Sequence, residues 1–282
     1  MADLEHVRYT EPAAKVARIV LARPEARNAQ NVRMLYELNS AFNRAAADDD
    51  ISVIILAAEG KHFSSGHDLR ELDLAGPISE WDPVGTWCGF ACAGSEGRMA
   101  QEKELYLGLS ERWRNIPKPT IAEVQGKVIS GGLMLVWPCD LIVASEDAEF
   151  ADNTVAMGVS GAEFFNHPWE LGHRQAKEML FTSDFIDAET AFRLGMVNHV
   201  VPLAELSAYV LDLAERIARK PLFALKLAKE AVNAAQDAGG RTAAMQTAFA
   251  LHQLCHTHNL VLHGQIVDPS FLSASPVRGV GT

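Results

Sequence analysis

Apolar residues fall in short runs through the first half of the chain and in helical stripes through the second. Residues 15–22 (KVARIVLA) are rich in β-branched side chains and close on Arg23-Pro24, which predicts a strand running into a turn. Leu35, Leu38, Phe42 and Ala45 fall at i, i+3, i+7 and i+10, the stripe of an amphipathic helix, with Asn31 as its N-cap and Asp48-Asp49-Asp50 at its end. Residues 53–58 (VIILAA) are apolar on both faces, as in a strand inside a parallel or mixed sheet, and further strands are read at 120–125 and 141–144. A short polar helix is expected near residues 69–72, and Tyr106, Leu109, Trp113 and Ile116 mark another helical stripe. Residues 76–97 hold prolines, glycines and the aromatics Trp81, Trp87 and Phe90, an insertion of the kind that serves as a lid. Residues 126–132 are a glycine-punctuated turn leading into a short buried helix from Leu133. Beyond about Trp169 helices follow one another at 171–181, 188–194, 204–220, 222–238 and 242–259. Strands first and helices last point to an α/β core with a helical C-terminal region.

The size and composition fit one large domain that buries its own core: 282 residues, 48% hydrophobic and 22% charged. With 25 Lys and Arg against 36 Asp and Glu, the net charge of −11 argues against a nucleic-acid partner. An anionic ligand then needs a local basic spot or backbone N–H groups. Four cysteines, no apolar leader and no long apolar run point to a reduced, cytoplasmic protein with no membrane partner.

Candidate chemistry begins with glycines. Residues 126–132 (GKVISGG) open like a P-loop, but Gly132-Leu133 stands where a Lys-Ser/Thr pair must reach phosphate. Residues 158–162 (GVSGA) approximate a nucleophile elbow, which makes Ser160 the nucleophile of a serine hydrolase reading. Residues 63–69 (FSSGHDL) and 130–132 (SGG) each follow a strand and lead into a helix, so each presents unpaired N–H groups. Two such groups converging on one oxygen make an oxyanion hole. His252 and His256, one helical turn apart beside Cys255 and His258, have zinc-chelating spacing, but no carboxylate or second cluster completes four ligands; structural or interface histidines and no metal are expected.

The motifs LARPEARNAQN (21–31), GKHFSSGHDLREL (60–72) and KPTIAEVQGKVISGG (118–132), with Cys139-Asp140 and Phe150, resemble those of the enoyl-CoA hydratase/isomerase or crotonase superfamily. That resemblance implies a crotonase (ClpP-like) α/β fold with a repeated ββα core. It implies an acyl-CoA substrate with no separate cofactor, and an oxyanion hole from the N–H groups of His67 and Gly131. By the same resemblance Ser65, Asp68, Leu69 and Arg70 lie along CoA, and Lys226 and Lys229 meet its phosphates. The family's two glutamates are replaced by Met134 and Thr154, neither of which exchanges a proton near neutral pH. Glu163, next to Phe164 and Phe165 where its pKa would be raised, is the substitute catalytic carboxylate, with Asp152 second. Hydration, dehydration or double-bond migration are the expected outcomes, with a non-catalytic acyl-CoA-binding protein as the alternative. Residues 1–200 are expected to form the core, 201–265 a helical region assembling a homotrimer or homohexamer, and 266–282 a poorly ordered tail.

Overall fold

The computed structural model describes residues 4–71 and 73–273. Its main sheet has six strands, β1 (Val7–Ala13), β2 (Val16–Leu21), β3 (Val53–Ala58), β4 (Thr120–Val124), β6 (Leu141–Ser145) and β9 (His199–Val201), in the order β1-β2-β3-β4-β6-β9. All neighbours are parallel except β1 with β2. A second sheet of three strands, β5 (Lys127–Ile129), β7 (Glu149–Ala151) and β8 (Ile186–Asp187), lies in the order β5-β7-β8.

Period-two alternation sorts the main sheet onto two cores. Ala17, Ile19, Leu21, Ile54 and Leu56 face α1 (Val32–Ala47), whose Leu35, Leu38, Phe42 and Ala45 form the buried stripe. Asn31 caps that helix, its Oδ1 accepting from Met34 N–H at 3.0 Å. Val16, Val53, Ile55 and Val143 face the other way, onto Leu206, Val210 and Ala214 of α8 (Leu206–Ala218). Helix α8 therefore roofs the main sheet.

The insertion opens with α2 (Ala75–Ile78) and ends where α3 (Ser95–Glu102) begins. Helix α3 continues through a π-helical turn at Lys103–Gly108 into α4 (Leu109–Arg114). Buried Glu104, in the π turn, ties the insertion down: its carboxylate accepts from Val84 N–H at 2.6 Å, Gly85 N–H at 2.7 Å and Tyr36 OH at 3.0 Å. Tyr36 in turn stacks on Trp81, with ring centroids 5.3 Å apart. A short helix, α5 (Leu133–Val136), follows β5 and a 3-10 turn at Ser130–Gly132. The remaining helices are α6 (His167–Thr182), bent at Gly172, α7 (Ala188–Leu194), α9 (Leu222–Ala238), α10 (Arg241–His263) and α11 (Ser270–Ser273). No helix among the described residues is long and apolar enough to cross a membrane.

Several expectations are corrected. Strands do not all precede helices, because β8 and β9 fall between α6 and α8. Residues 126–132 hold a true strand, β5, that aligns on β7. The expected helix near 69–72 is a turn: Asp68 accepts from Arg70 N–H and Glu71 N–H through its side chain and carbonyl, diverting the backbone from a helical ladder; Leu72 lies outside the described residues. In the expected tail, Asp268 N–H donates to Met157 C=O at 2.9 Å and α11 follows, while residues 274–282 lie outside the described residues.

Candidate active site

Two loops meet above the sheets. Residues 63 and 64 run beside β5, with Phe63 N–H on Gln125 C=O, Ser64 N–H on Lys127 C=O and Ile129 N–H on Ser64 C=O, at 3.0 to 3.2 Å. The chain then turns sharply at Gly66, whose φ of +89° is a left-handed conformation. A Cβ there would lie 2.8 Å from Ile129 C=O and 3.2 Å from Gly131 N, so only glycine lets the loops close. Across the gap a Cβ on Gly131 would come 3.1 Å from His67 N and 2.9 Å from His67 Nδ1. The backbone amides of His67 and Gly131 thus sit side by side. Neither N–H is taken up by a hydrogen bond to a described residue.

Gln30 holds the pair in register. Its N–H donates to Gly66 C=O at 2.8 Å, its C=O accepts from Asp68 N–H at 2.9 Å, and its Nε2 donates to Gly131 C=O at 2.7 Å. One buried side chain spans both loops. Asn28, also buried, supports the outer loop by donating to Glu59 and His62 C=O. Nothing in the residue types alone distinguishes Gln30 from its neighbours in LARPEARNAQN. We expect Gln30→Leu to keep the fold, losing about 1 to 3 kcal/mol of stability from stranded polar groups, and to lower turnover at least ten-fold; thermal melts and steady-state kinetics on one preparation check both.

The inner loop is braced from below by Asp152. Ser130, at φ +44°, precedes Gly131 in a left-handed conformation unusual for a residue with a Cβ, and its Oγ lies 3.2 Å from Asp152 Oδ1 and 2.6 Å from Asn153 Oδ1. Asp152, fully buried, also accepts from Thr154 N–H, from Ala162 N–H and from His167 Nε2, at 2.8 to 2.9 Å. Burial pushes its carboxyl up, but the hydrogen bonds from His167 and Thr154 outweigh that and hold it well below the usual carboxylate range. Asp152 is an anchor with its lone pairs in use, which corrects its standing as a proton-transfer candidate.

The other candidates separate likewise. Met134 is buried in the main core, and Thr154 starts the 3-10 turn Val155–Met157 with its Oγ1 buried and unpartnered. Asp68 is pinned by Arg70 at 2.9 Å and by Arg23 at 3.1 Å, which leaves the Arg70 and Leu69 side chains exposed beside half-buried Ser65. Lys229 is bound to Asp140 at 2.8 Å and to Lys118 C=O, so it is not free for a phosphate; Lys226 is half-buried. Ser160 follows a 3-10 turn where a nucleophile elbow needs a strand, and no described residue hydrogen-bonds to it. Two cavities of about 570 Å³ open elsewhere, one inside the insertion and one under α9, and neither is lined by His67 or Gly131. Backbone geometry marks this site better than cavity size does.

Glu163 is buried directly behind His67, with Oε2 at 3.2 Å from His67 Nε2. The expectation of a raised carboxyl is corrected here. Burial does push it up, but the imidazoles of His67 and His252 pull it down further, to a net value below the usual range. The His67 ring stacks on Tyr106, centroids 3.7 Å apart, and its Nδ1 edge abuts Gly131 with no hydrogen-bond partner. The supposed lack of a carboxylate near the C-terminal histidines is also corrected: Glu102 from α3 lies 3.4 Å from His252 Nε2 and 3.3 Å from His256 Nε2.

Comparison with known proteins adds to this geometry. The sequence profile of the enoyl-CoA hydratase/isomerase family matches residues 11–82 and 89–263. The chain is 46% identical over 261 residues to a Mycobacterium tuberculosis protein bearing the name "Putative enoyl-CoA hydratase EchA13", covering 91% of this chain and 82% of that one. It is 29% identical over 230 residues to 4-chlorobenzoyl coenzyme A dehalogenase-2 of an Arthrobacter species, covering 81% and 78%. The crystal structure of a probable enoyl-CoA hydratase from Mycobacterium smegmatis superposes with a TM-score of 0.84 at 48% identity, over 93% of this chain and 99% of that one. A profile match across most of the chain, on a scaffold whose two glycine loops lie side by side, places the protein in the enoyl-CoA hydratase/isomerase family of the crotonase superfamily.

Proposed function

We propose that this chain is an enzyme that binds an acyl-CoA and polarises the thioester carbonyl between the N–H groups of His67 and Gly131. The observation that carries the proposal is the adjacency of two amides that have no acceptor among the described residues. Donors fixed in place before reaction stabilise the enolate that forms when the α-carbon loses a proton, and one such donor is worth about 3 to 4 kcal/mol. The names of the relatives, hydratase and chlorobenzoyl-CoA dehalogenase, share a CoA thioester. Arg70, anchored by Asp68 and otherwise exposed, supplies the local cation for the anionic end of CoA, alongside Ser65 and Leu69.

The proton carrier is the His67 imidazole, not Glu163 itself. His67 stands between Glu163 and the hole, so Glu163 acts as a positioning residue that orients the ring. One base that takes a proton from one carbon and returns it to another needs no second carboxylate, so double-bond migration follows most directly. Hydration or dehydration uses the same enolate with a bound water. Incubation in D2O with unsaturated acyl-CoAs of several chain lengths tests this. We expect deuterium at the α-carbon and a change in the conjugated thioester absorbance. Tight binding with no exchange on any chain length replaces the enzyme with an acyl-CoA-binding protein.

The helices after α8 complete the proposal. Helix α9 buries no residue, and Phe223, Val232, Leu254 and Val261 on α9 and α10 are 63 to 80% exposed. Copies of the chain cover these faces in a homotrimer or a pair of trimers. Light scattering is expected to give three or six chains for the native protein and a smaller particle for Phe223→Glu with Val232→Asp.

A further inference from the structure

Outside the oxyanion loops, the densest cluster of chemically versatile side chains lies where α3, α10 and the segment carrying Glu163 come together. Glu102, His252 and His256 are all buried, and one ligand atom from each lies within 4.8 Å of the other two. Both imidazoles are fixed by backbone carbonyls: His252 Nδ1 lies 2.7 Å from Gly161 C=O, and His256 Nδ1 lies 2.7 Å from Ile266 C=O. A carbonyl oxygen only accepts, so each Nδ1 carries its proton and each ring turns its Nε2 inward. Both Nε2 atoms face Glu102. Gln253 adds a hydrogen bond from its Nε2 to Glu102 Oε2, which sets the plane of the carboxylate.

The separations are wrong for direct pairing. A charge-assisted N–H···O bond spans about 2.7 to 2.9 Å, whereas His252 Nε2 is 3.4 Å from Glu102 Oε2 and His256 Nε2 is 3.3 Å from Glu102 Oε1. His252 Nε2 is buried and makes no hydrogen bond to a described residue. One ligand atom from each of the three side chains lies within 4.8 Å of the other two, close enough for a single ion with nitrogen and oxygen ligands at about 2.0 to 2.1 Å to reach all three. Metal-ligating histidines characteristically donate their second N–H to a carbonyl, as both do here.

We propose that Glu102, His252 and His256 form a binding site for a divalent transition-metal ion, zinc in the first instance. Glu163 Oε1, 3.4 Å from His252 Nε2, stands beside the fourth position. With both imidazoles bound through Nε2, two carboxylates and one divalent ion sum to zero charge, so the occupied cluster buries no net charge. Imidazole and carboxylate donors select zinc, cobalt or nickel over magnesium or calcium. Because the opposite oxygen of Glu163 meets His67, an ion here also fixes the carboxylate that orients the proposed proton carrier. The site stands without the proposed reaction, since its ligands bind in the absence of acyl-CoA.

The test uses the full chain without a histidine tag. Stripped of metal, it is dialysed against zinc, and separately titrated with cobalt while the visible d–d absorption is read. We expect one ion per chain, a tetrahedral cobalt spectrum and a raised melting temperature. His256→Gln and Glu102→Gln should each weaken binding at least about a hundred-fold, whereas His258→Gln, on the exposed side of α10, should leave it unchanged. Wild-type protein that is folded by circular dichroism and holds no stoichiometric zinc or cobalt overturns the proposal. So does cobalt absorption that survives in the folded double variant of His252 and His256. Neither result bears on α-carbon exchange, which is measured apart.

Discussion

Asp152→Asn is expected to lower the melting temperature by about 10 °C, the largest stability loss of any single polar substitution near the site. Three donors converge on Asp152, Thr154 N–H on Oδ1 and Ala162 N–H and His167 Nε2 on Oδ2, with Ser130 Oγ a further 3.2 Å from Oδ1. An amide keeps one oxygen and turns an NH2 group toward two donors, at a position that is fully buried. Removing one partner of such a buried pair costs about 3 to 5 kcal/mol, and in a chain of this size each kcal/mol moves the midpoint about 2 to 4 °C. The acid limb should change too. A carboxyl held below its unfolded value, near 4, contributes stability that is fully present above that pH and is lost as pH falls through the folded value. The variant has no such group, so its stability should decline less steeply below pH 4. Calorimetry at several pH values decides it: an unchanged midpoint at neutral pH would mean that Asp152 carries no load.

His67→Gln should reduce turnover by about 10² to 10⁴, the usual worth of a positioned acid or base, while acyl-CoA affinity changes little. The reason for the split is that the backbone N–H of residue 67 survives the substitution and the imidazole does not. Glu163→Gln should cost less alone, and almost nothing further when added to His67→Gln, because the carboxylate acts through the ring. Single-turnover kinetics on the two single variants and the double variant measure the coupling. Independent, multiplying effects would place Glu163 in contact with substrate and remove His67 from the role argued for it.

Long apolar runs and strong stripes made much of the frame readable in advance. β2, β3, α1, α7 and α9 lie where periodicity puts them, because each is long enough for its neighbours to repeat the same message. β7, β8 and β9 have three, two and three residues, too short for any period to register, and they form only because a sheet edge is there to receive them. The two glycine loops were legible because glycines announce a turn that other residues resist. What held those loops was not. Gln30 and Asp152 act through bonds spanning up to 101 residues, and sequence order carries no trace of which distant amide a carboxylate will meet. The cluster of Glu102 with His252 and His256 joins positions some 150 residues apart. Two histidines one turn apart looked incomplete for that reason.

The π-helical turn at Lys103–Gly108 separates two stretches of one continuous rod, with Glu102 on one side and Trp113 on the other, both facing inward. A wide turn of this kind holds a residue more than an ordinary one. Cutting out that surplus residue would give a straighter, better-bonded helix and a worse protein. Each residue turns an α-helix by about 100°, so the shortened rod would seat either the tryptophan or the glutamate, never both. Length here is a form of aim, and a deletion that harms no local bond would still swing one end of the rod away from its target.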